Sequence, residues 1–147
     1  MDVDALLREV LDGRAPTDAE LSEIVEHIAK ADFLHEGSMR LHLQKRIRDL
    51  QWTADATVED YRQDLARMAQ GATQLAVYRR RGGAMAALFS LTIAVIPRER
   101  LGSRAEDQCI LVYSIDRGRL VTGYQFSTPS QLALPEDMKW LQLTRLP

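Results

Sequence analysis

The sequence of 147 residues is 46% hydrophobic and 27% charged, proportions typical of a globular protein that buries its own core. Its most apolar stretch, residues 84–96, is too short for a membrane-spanning helix, which needs about 20 apolar residues. Composition therefore predicts a chain that is not embedded in a membrane. The acidic start, which has no leader segment, predicts a cytoplasmic location.

A single cysteine and three histidines restrict the metal and disulfide chemistry of the chain. Cys109 has no second cysteine to pair with, and its apolar surroundings predict an inert buried thiol. His27, His35 and His42 lack the spacing of metal ligands, and the first two are expected at the surface. We therefore expect neither a metal nor a cofactor.

The net charge of −2 is divided unevenly along the chain. Residues 1–36 hold ten acids and three bases, a net of −7, whereas residues 37–147 hold eleven acids and sixteen bases, a net of +5. Nearly all of the later bases are arginine, which binds phosphate with two parallel hydrogen bonds. This split predicts a single domain, residues 1–147, with an acidic lead segment and a basic body that suits a polyanion. Solvated charged faces would give the same pattern.

Four helices are predicted in the first half of the chain, over residues 3–12, 18–31, 39–50 and 58–70. Thr17 with Glu20 and Thr57 with Asp60 have the spacing of a capping box, in which each member satisfies a backbone amide of the other. Ser38 is the expected N-cap of the third helix.

Four β-strands are predicted in the second half, over residues 73–80, 84–96, 108–115 and 119–126. The short turns Arg81-Gly82-Gly83 and Asp116-Arg117-Gly118 predict antiparallel neighbours. After these strands, Pro135-Glu136-Asp137 predicts the start of a helix that would place Trp140 and Leu141 over the sheet edge. The expected fold is α+β, with N-terminal helices packed on a four-stranded antiparallel β-meander.

Large apolar side chains of these strands are expected in the core: Val77, Tyr78, Phe89, Leu91, Tyr113 and Phe126. Tyr78 or Tyr113 would be able to stack on a nucleic-acid base if it were exposed.

The third helix carries the residues with the clearest chemical potential. Its apolar stripe is predicted to face the core and consists of Met39, Leu43, Ile47 and Leu50. A second stripe holds His42, Lys45, Arg46 and Asp49 at spacings of three and four residues. A histidine beside cations is suited to proton transfer near neutral pH next to a bound phosphate. The alternative is a partly exposed histidine on a solvated basic face.

Three segments together resemble a known superfamily. Residues 41–46 read Leu-His-Leu-Gln-Lys-Arg, residues 56–61 read Ala-Thr-Val-Glu-Asp-Tyr, and residues 116–124 read Asp-Arg-Gly-Arg-Leu-Val-Thr-Gly-Tyr. A histidine helix, a Thr-x-x-x-Tyr helix start and such a final strand are similar to the metal-independent RNases that include barnase, EndoU, the tRNase colicins and RelE. The similarity covers residues 39–126.

The resemblance implies roles for five residues. His42 corresponds to the helix histidine that serves as acid or base in these RNases. Lys45 and Arg46 stand where basic partners of the phosphate are found. Thr122 matches the threonine of the final strand that faces the cleft, and Tyr124 lies on the same face two residues on. Without the family pattern, the last two are an ordinary strand pair.

Further residues bear on RNA binding and on turnover. Arg79 or Arg81, at the end of the first strand, is expected to add a phosphate contact, although neither matches a family motif. Many relatives carry a second histidine near the first, and Arg46 stands in that place here. If Arg46 replaces a catalytic acid, the fold persists as a binding module.

The sequence thus predicts a toxin-like endoribonuclease that cleaves RNA, such as tRNA, by attack of the 2′-hydroxyl and without metal. The expected partners are RNA and a neutralising antitoxin or immunity protein, with no membrane involved. One alternative is a non-catalytic module that binds protein or RNA on the same scaffold. Another is an α+β domain that binds a small molecule, because fold does not fix function.

Overall fold

The computed structural model describes residues 1–143 except residues 82, 133 and 136, and it has the predicted α+β architecture. Helices occupy Val3–Leu11 (α1), Asp18–Ala29 (α2), Glu36–Arg48 (α3), Val58–Gln70 (α4) and the short Thr92–Val95 (α5). Strands occupy Gln74–Arg80 (β1), Gly83–Leu91 (β2), Gln108–Ser114 (β3), Arg119–Phe126 (β4) and Lys139–Gln142 (β5). No helix in these described ranges is both long and apolar enough to cross a bilayer.

Side-chain caps define the starts of α1 to α4. Both predicted capping boxes are present, at Thr17 for α2 and at Thr57 for α4. The predicted N-cap of α3 is wrong, because the helix begins at Glu36, before Ser38. His35 is the N-cap instead, and its Nδ1 accepts a hydrogen bond from the backbone amide of Ser38 at 3.0 Å. An imidazole nitrogen thus satisfies an amide that would otherwise lack a partner.

The antiparallel meander is confirmed, but the sheet has five strands rather than four, in the order β4-β3-β2-β1-β5. The fifth strand, Lys139–Gln142, pairs with β1, with Trp140 opposite Ala76. The predicted helix start near Pro135 is therefore not followed by a helix, and Glu136 lies outside the described residues. Without β5, the outer edge of β1 would carry unpaired amides and carbonyls, which an added strand satisfies as a helix cannot.

The second strand ends earlier than its apolar run predicts. Residues 92–95 turn into α5 after Leu91, whose side chain is exposed. The prediction that Leu91 lies in the core is wrong, because the chain leaves the sheet there. The other predicted core residues of the strands are buried, including the rings of Tyr78 and Tyr113. The thiol of Cys109 is buried as well.

The sheet buries apolar side chains on both faces. On one face, α1, α2 and α4 cover the strands, and the acidic lead segment contributes fully buried residues such as Leu7, Ile24 and Ile28. On the other face, a second cluster includes Leu132 and Leu134, which follow β4 in the chain. The lead helices are therefore part of the main core, and their acids lie on its outside.

A buried carboxylate connects α4 to the loop before β3. Asp64 is fully buried and accepts hydrogen bonds from Trp52 Nε1 at 3.0 Å and from Arg67 at 2.9 Å. The guanidinium of Arg100 adds two more, at 2.6 Å and 2.8 Å. Four hydrogen bonds from three side chains compensate the loss of hydration of this buried charge.

Candidate active site at the edge of the sheet

Strand β4 forms one edge of the sheet, and neighbouring segments satisfy its outward backbone groups. The hydroxyl of Tyr61 on α4 donates to the carbonyl of Gly123 at 2.6 Å. The side-chain amide of Gln51 donates to the carbonyl of Gln125 at 2.8 Å and accepts from its amide at 2.9 Å. The backbone amide of Leu120 donates to the carbonyl of Asp32 at 2.9 Å. These contacts fix the strand that carries Thr122 and Tyr124.

Gly123 allows this close fit. A Cβ at Gly123 would lie 2.3 Å from Cδ2 of the buried Leu65 and 3.2 Å from Cδ1 of Leu111. The absence of a side chain lets α4 approach the strand, and the residues on either side of Gly123 then point away from α4.

His42 and Thr122 meet in this region. The hydroxyl of Thr122 lies 3.2 Å from Nδ1 of His42, and the half-buried imidazole stacks on Phe33 at 5.2 Å between ring centroids. Burial lowers the pKa of His42 below its usual 6.5, and the positive charges of Arg46 and Lys45 lower it further. The imidazole is therefore neutral at pH 7 and able to accept a proton.

Arg46 is buried, unlike the exposed Lys45 beside it. Its side chain is 7% exposed, and its guanidinium carbon lies 5.1 Å from the centre of the Tyr124 ring. A carboxylate oxygen of Asp49 is 3.8 Å away, and Nε has no hydrogen-bond partner in the described part of the chain. The prediction that Leu50 faces the core is wrong, because α3 ends at Arg48 and Leu50, which lies beyond the helix, is 43% exposed. A buried, poorly compensated cation favours an anion nearby.

A groove of about 290 Å³ opens on the sheet face opposite α1, α2 and α4. Thr122 and Tyr124 line it together with Tyr78, Arg80 and Arg81, and apolar side chains of the second cluster complete its walls. The hydroxyls of Tyr78 and Tyr124 have no hydrogen-bond partner among the residues that the structure describes. Burial raises the pKa of Tyr78 to about 12 and that of Tyr124 in the same direction, so both remain donors at neutral pH.

The predicted site residues are thus divided between the two faces of the sheet. His42, Arg46, Thr122 and Tyr124 lie together, and Arg81 lines the adjoining groove. Arg79 points to the other face, where it lies 3.5 Å from Asp12. Arg80 was not predicted as a site residue, although strand alternation places it on the same face as Tyr78 and would have identified it.

The other two histidines lie elsewhere. His35 caps α3, as described above. Nε2 of His27 lies 2.9 Å from the hydroxyl of Tyr113, which donates to Asp4 at 2.7 Å. That network ties α1 and α2 to β3. Over the described ranges, no group of three or more histidine, cysteine, aspartate or glutamate residues is arranged to hold a metal ion.

Comparison with protein-family models, with curated proteins and with solved structures finds no match to this chain.

Proposed function

We propose that the chain is a metal-independent endoribonuclease whose catalytic centre is the His42–Thr122 pair. The observation that carries the proposal is their 3.2 Å contact, in which a neutral imidazole lies beside the hydroxyl of Thr122, a residue that lines a groove with basic side chains. The resemblance to the toxin RNases supports it, because the resemblance assigns His42 to proton transfer and Thr122 to the strand that faces the cleft.

The first step of such cleavage needs one proton to move from the 2′-oxygen to the 5′-oxygen. The 2′-oxygen forms a bond to phosphorus, the bond from phosphorus to the 5′-oxygen breaks, and a 2′,3′-cyclic phosphate results. His42 would accept the proton at Nε2, which requires that Nδ1 carries its own proton and donates to Thr122. The protonated imidazole then returns a proton to the leaving 5′-oxygen.

The negative charge that develops on the phosphate needs donors that do not move during the reaction. The hydroxyl of Tyr124 remains protonated, and Arg46 is held by the ring of the same tyrosine. Lys45, one turn from the imidazole, adds an exposed positive charge that is free to follow the substrate.

A second candidate function is a binding module that holds RNA without cutting it. The burial of Arg46 favours this function, because a guanidinium enclosed against Tyr124 is a poor replacement for a second, proton-donating histidine. Within the described residues, neither His27 nor His35 reaches the pair.

The test is incubation of total RNA with the whole chain in EDTA, followed by separation of the fragments and analysis of their ends. We expect cleavage that leaves cyclic phosphates and that is lost in His42→Ala. The control is His35→Asn, which changes a histidine of the same helix and preserves its cap, because asparagine is a strong N-cap residue. If the parent protein binds RNA but does not cleave it, the binding module becomes the supported function in place of the endoribonuclease. Cleavage that survives His42→Ala would refute the assignment.

A further inference from the structure

The two hairpins of the sheet place their turns side by side at one end. Arg80 pairs with Gly83 at the first turn, and Ser114 pairs with Arg119 at the second. Because Met85 pairs with Ser114, the two turns are neighbours in the sheet. Five exposed arginines are attached to these turns and are called here the hairpin end: Arg79, Arg80, Arg81, Arg117 and Arg119.

Of these five arginines, only Arg79 forms an ion pair in the described part of the chain. Asp116 lies between the arginines but forms an ion pair with Arg8 at 3.2 Å and accepts a hydrogen bond from the amide of Ala84 at 3.0 Å. Asp12 pairs with Arg79. Across the described ranges, the other four arginines of the hairpin end form no ion pair, so their guanidinium groups are available to an anion.

The opposite end of the sheet does not show this excess. The connection between β2 and β3 carries the exposed Arg98 and Arg104, but Glu99, Glu106 and Asp107 accompany them. Its third arginine, Arg100, is bound to Asp64. The positive charge of the sheet is therefore concentrated at one end.

The hairpin end is continuous with the groove. Arg80 and Arg81 line the groove together with Thr122. Arg119 lies three residues before Thr122 on β4, a separation of roughly 10 Å at about 3.3 Å per residue. The strand register places Arg119 in one row with Met85 and Tyr78 on the groove face.

We propose that the hairpin end is a phosphate-binding track for single-stranded RNA that runs out of the groove, and that the connection at the opposite end makes no such contact. The proposal rests on the proposed function, because the His42–Thr122 pair defines where the track begins. Arginines spread over two turns fit the regular phosphates of a nucleic-acid strand, and the groove beside them fits a strand rather than a duplex.

The track is tested by RNA binding to the whole chain with His42→Ala, so that binding is measured without cleavage. The probe is a single-stranded RNA of 15 nucleotides, and affinity is measured between 0.1 M and 1 M salt. Arg117→Gln with Arg119→Gln removes two charges from the hairpin end. Arg98→Gln with Arg104→Gln removes two from the opposite end and is the matched control. Circular dichroism checks that each variant is folded.

Each phosphate contact on a single strand contributes about 0.7 to the slope of log affinity against log salt. Loss of two contacts at the hairpin end should therefore reduce the magnitude of the slope by about 1.4. The affinity lost through the two changes should accordingly be about 25-fold greater in 0.1 M salt than in 1 M salt. The control with Arg98→Gln and Arg104→Gln should show the same slope and affinity as the protein that carries His42→Ala alone.

Equal loss in both double variants, no loss in either, or no salt-dependent binding by the parent protein would each overturn the track. If protein with an intact His42 does not cleave RNA but the 25-fold difference remains, the proposed nuclease activity is refuted and the phosphate-binding track is retained.

Discussion

His42 and Thr122 are separated by 80 residues in the sequence and by 3.2 Å in space, between the Nδ1 atom of one and the hydroxyl of the other. Their contact exists because α3 runs along the edge strand of the sheet, where Tyr61 and Gln51 hold the backbone of β4. It joins the basic helix to the groove face, and the activity proposed for this chain depends on it.

The depressed pKa of His42 predicts a pH dependence of both activity and stability. As a base, the imidazole is active when neutral, so the cleavage rate should rise with pH through an apparent pKa below 6.5 and then level off. In the unfolded chain the pKa returns towards its usual value, so the unfolded state binds the proton more readily. The contribution of neutral His42 to the free energy of unfolding is therefore fully present above about pH 6.5. It is lost as the pH falls through the pKa of His42 in the folded state, which is lower.

The check is a pH–rate profile together with urea unfolding of the parent protein and of His42→Asn between pH 5 and 8. The parent protein should lose more stability than the variant on acidification. Equal losses would contradict a depressed pKa.

Replacement of Arg46 by methionine should separate stability from binding. The change removes a buried cation whose Nε has no partner among the described residues and keeps a side chain of similar length. We expect the free energy of unfolding to stay level or rise by up to about 2 kcal/mol, because well-packed apolar replacements of buried charges are often neutral or stabilising. RNA affinity should fall at the same time. A loss of stability with unchanged RNA affinity would show that Arg46 has a structural role.

Gly123→Ala should disturb the candidate active site through packing. The added methyl would meet Leu65, so we expect a loss of about 1–3 kcal/mol and a displacement of β4 from Tyr61. The double variant with Leu65→Ala removes the clash. In denaturant unfolding, the two changes together should therefore cost less than the sum of the single changes. Strict additivity would show that Leu65 is not the limiting neighbour.

Asp64→Ala should be strongly destabilising. The change leaves Trp52 and Arg100 without their buried acceptor, and breaking a buried ion pair from one side costs about 3–5 kcal/mol. Asp55→Ala is the matched control, because Asp55 is exposed and lies within the same part of the chain; it should change stability by less than about 0.5 kcal/mol. Chemical unfolding of both variants measures the difference.

The sequence by itself determined the elements that local chemistry controls. Capping boxes set the starts of α2 and α4, and glycine and aspartate turns set the hairpins of the meander, because each signal lies within a few neighbouring residues. Where a partner that is distant in the sequence decides the structure of a segment, the local sequence pattern was insufficient to predict it. The last described segment became a strand because the edge of β1 was open to it, and Leu91 left the core when the chain turned away from the sheet.

The candidate active site shows the same division. The sequence marked His42, Arg46, Thr122 and Tyr124 by residue type and by family resemblance, and strand alternation would also have indicated Arg80. Only the tertiary structure buried Arg46 against Tyr124, turned Arg79 to the other face and placed the acidic lead helices in the main core. Burial and contact between distant segments depend on how helices pack on the sheet, and the energy of that packing is shared among residues far apart in the sequence.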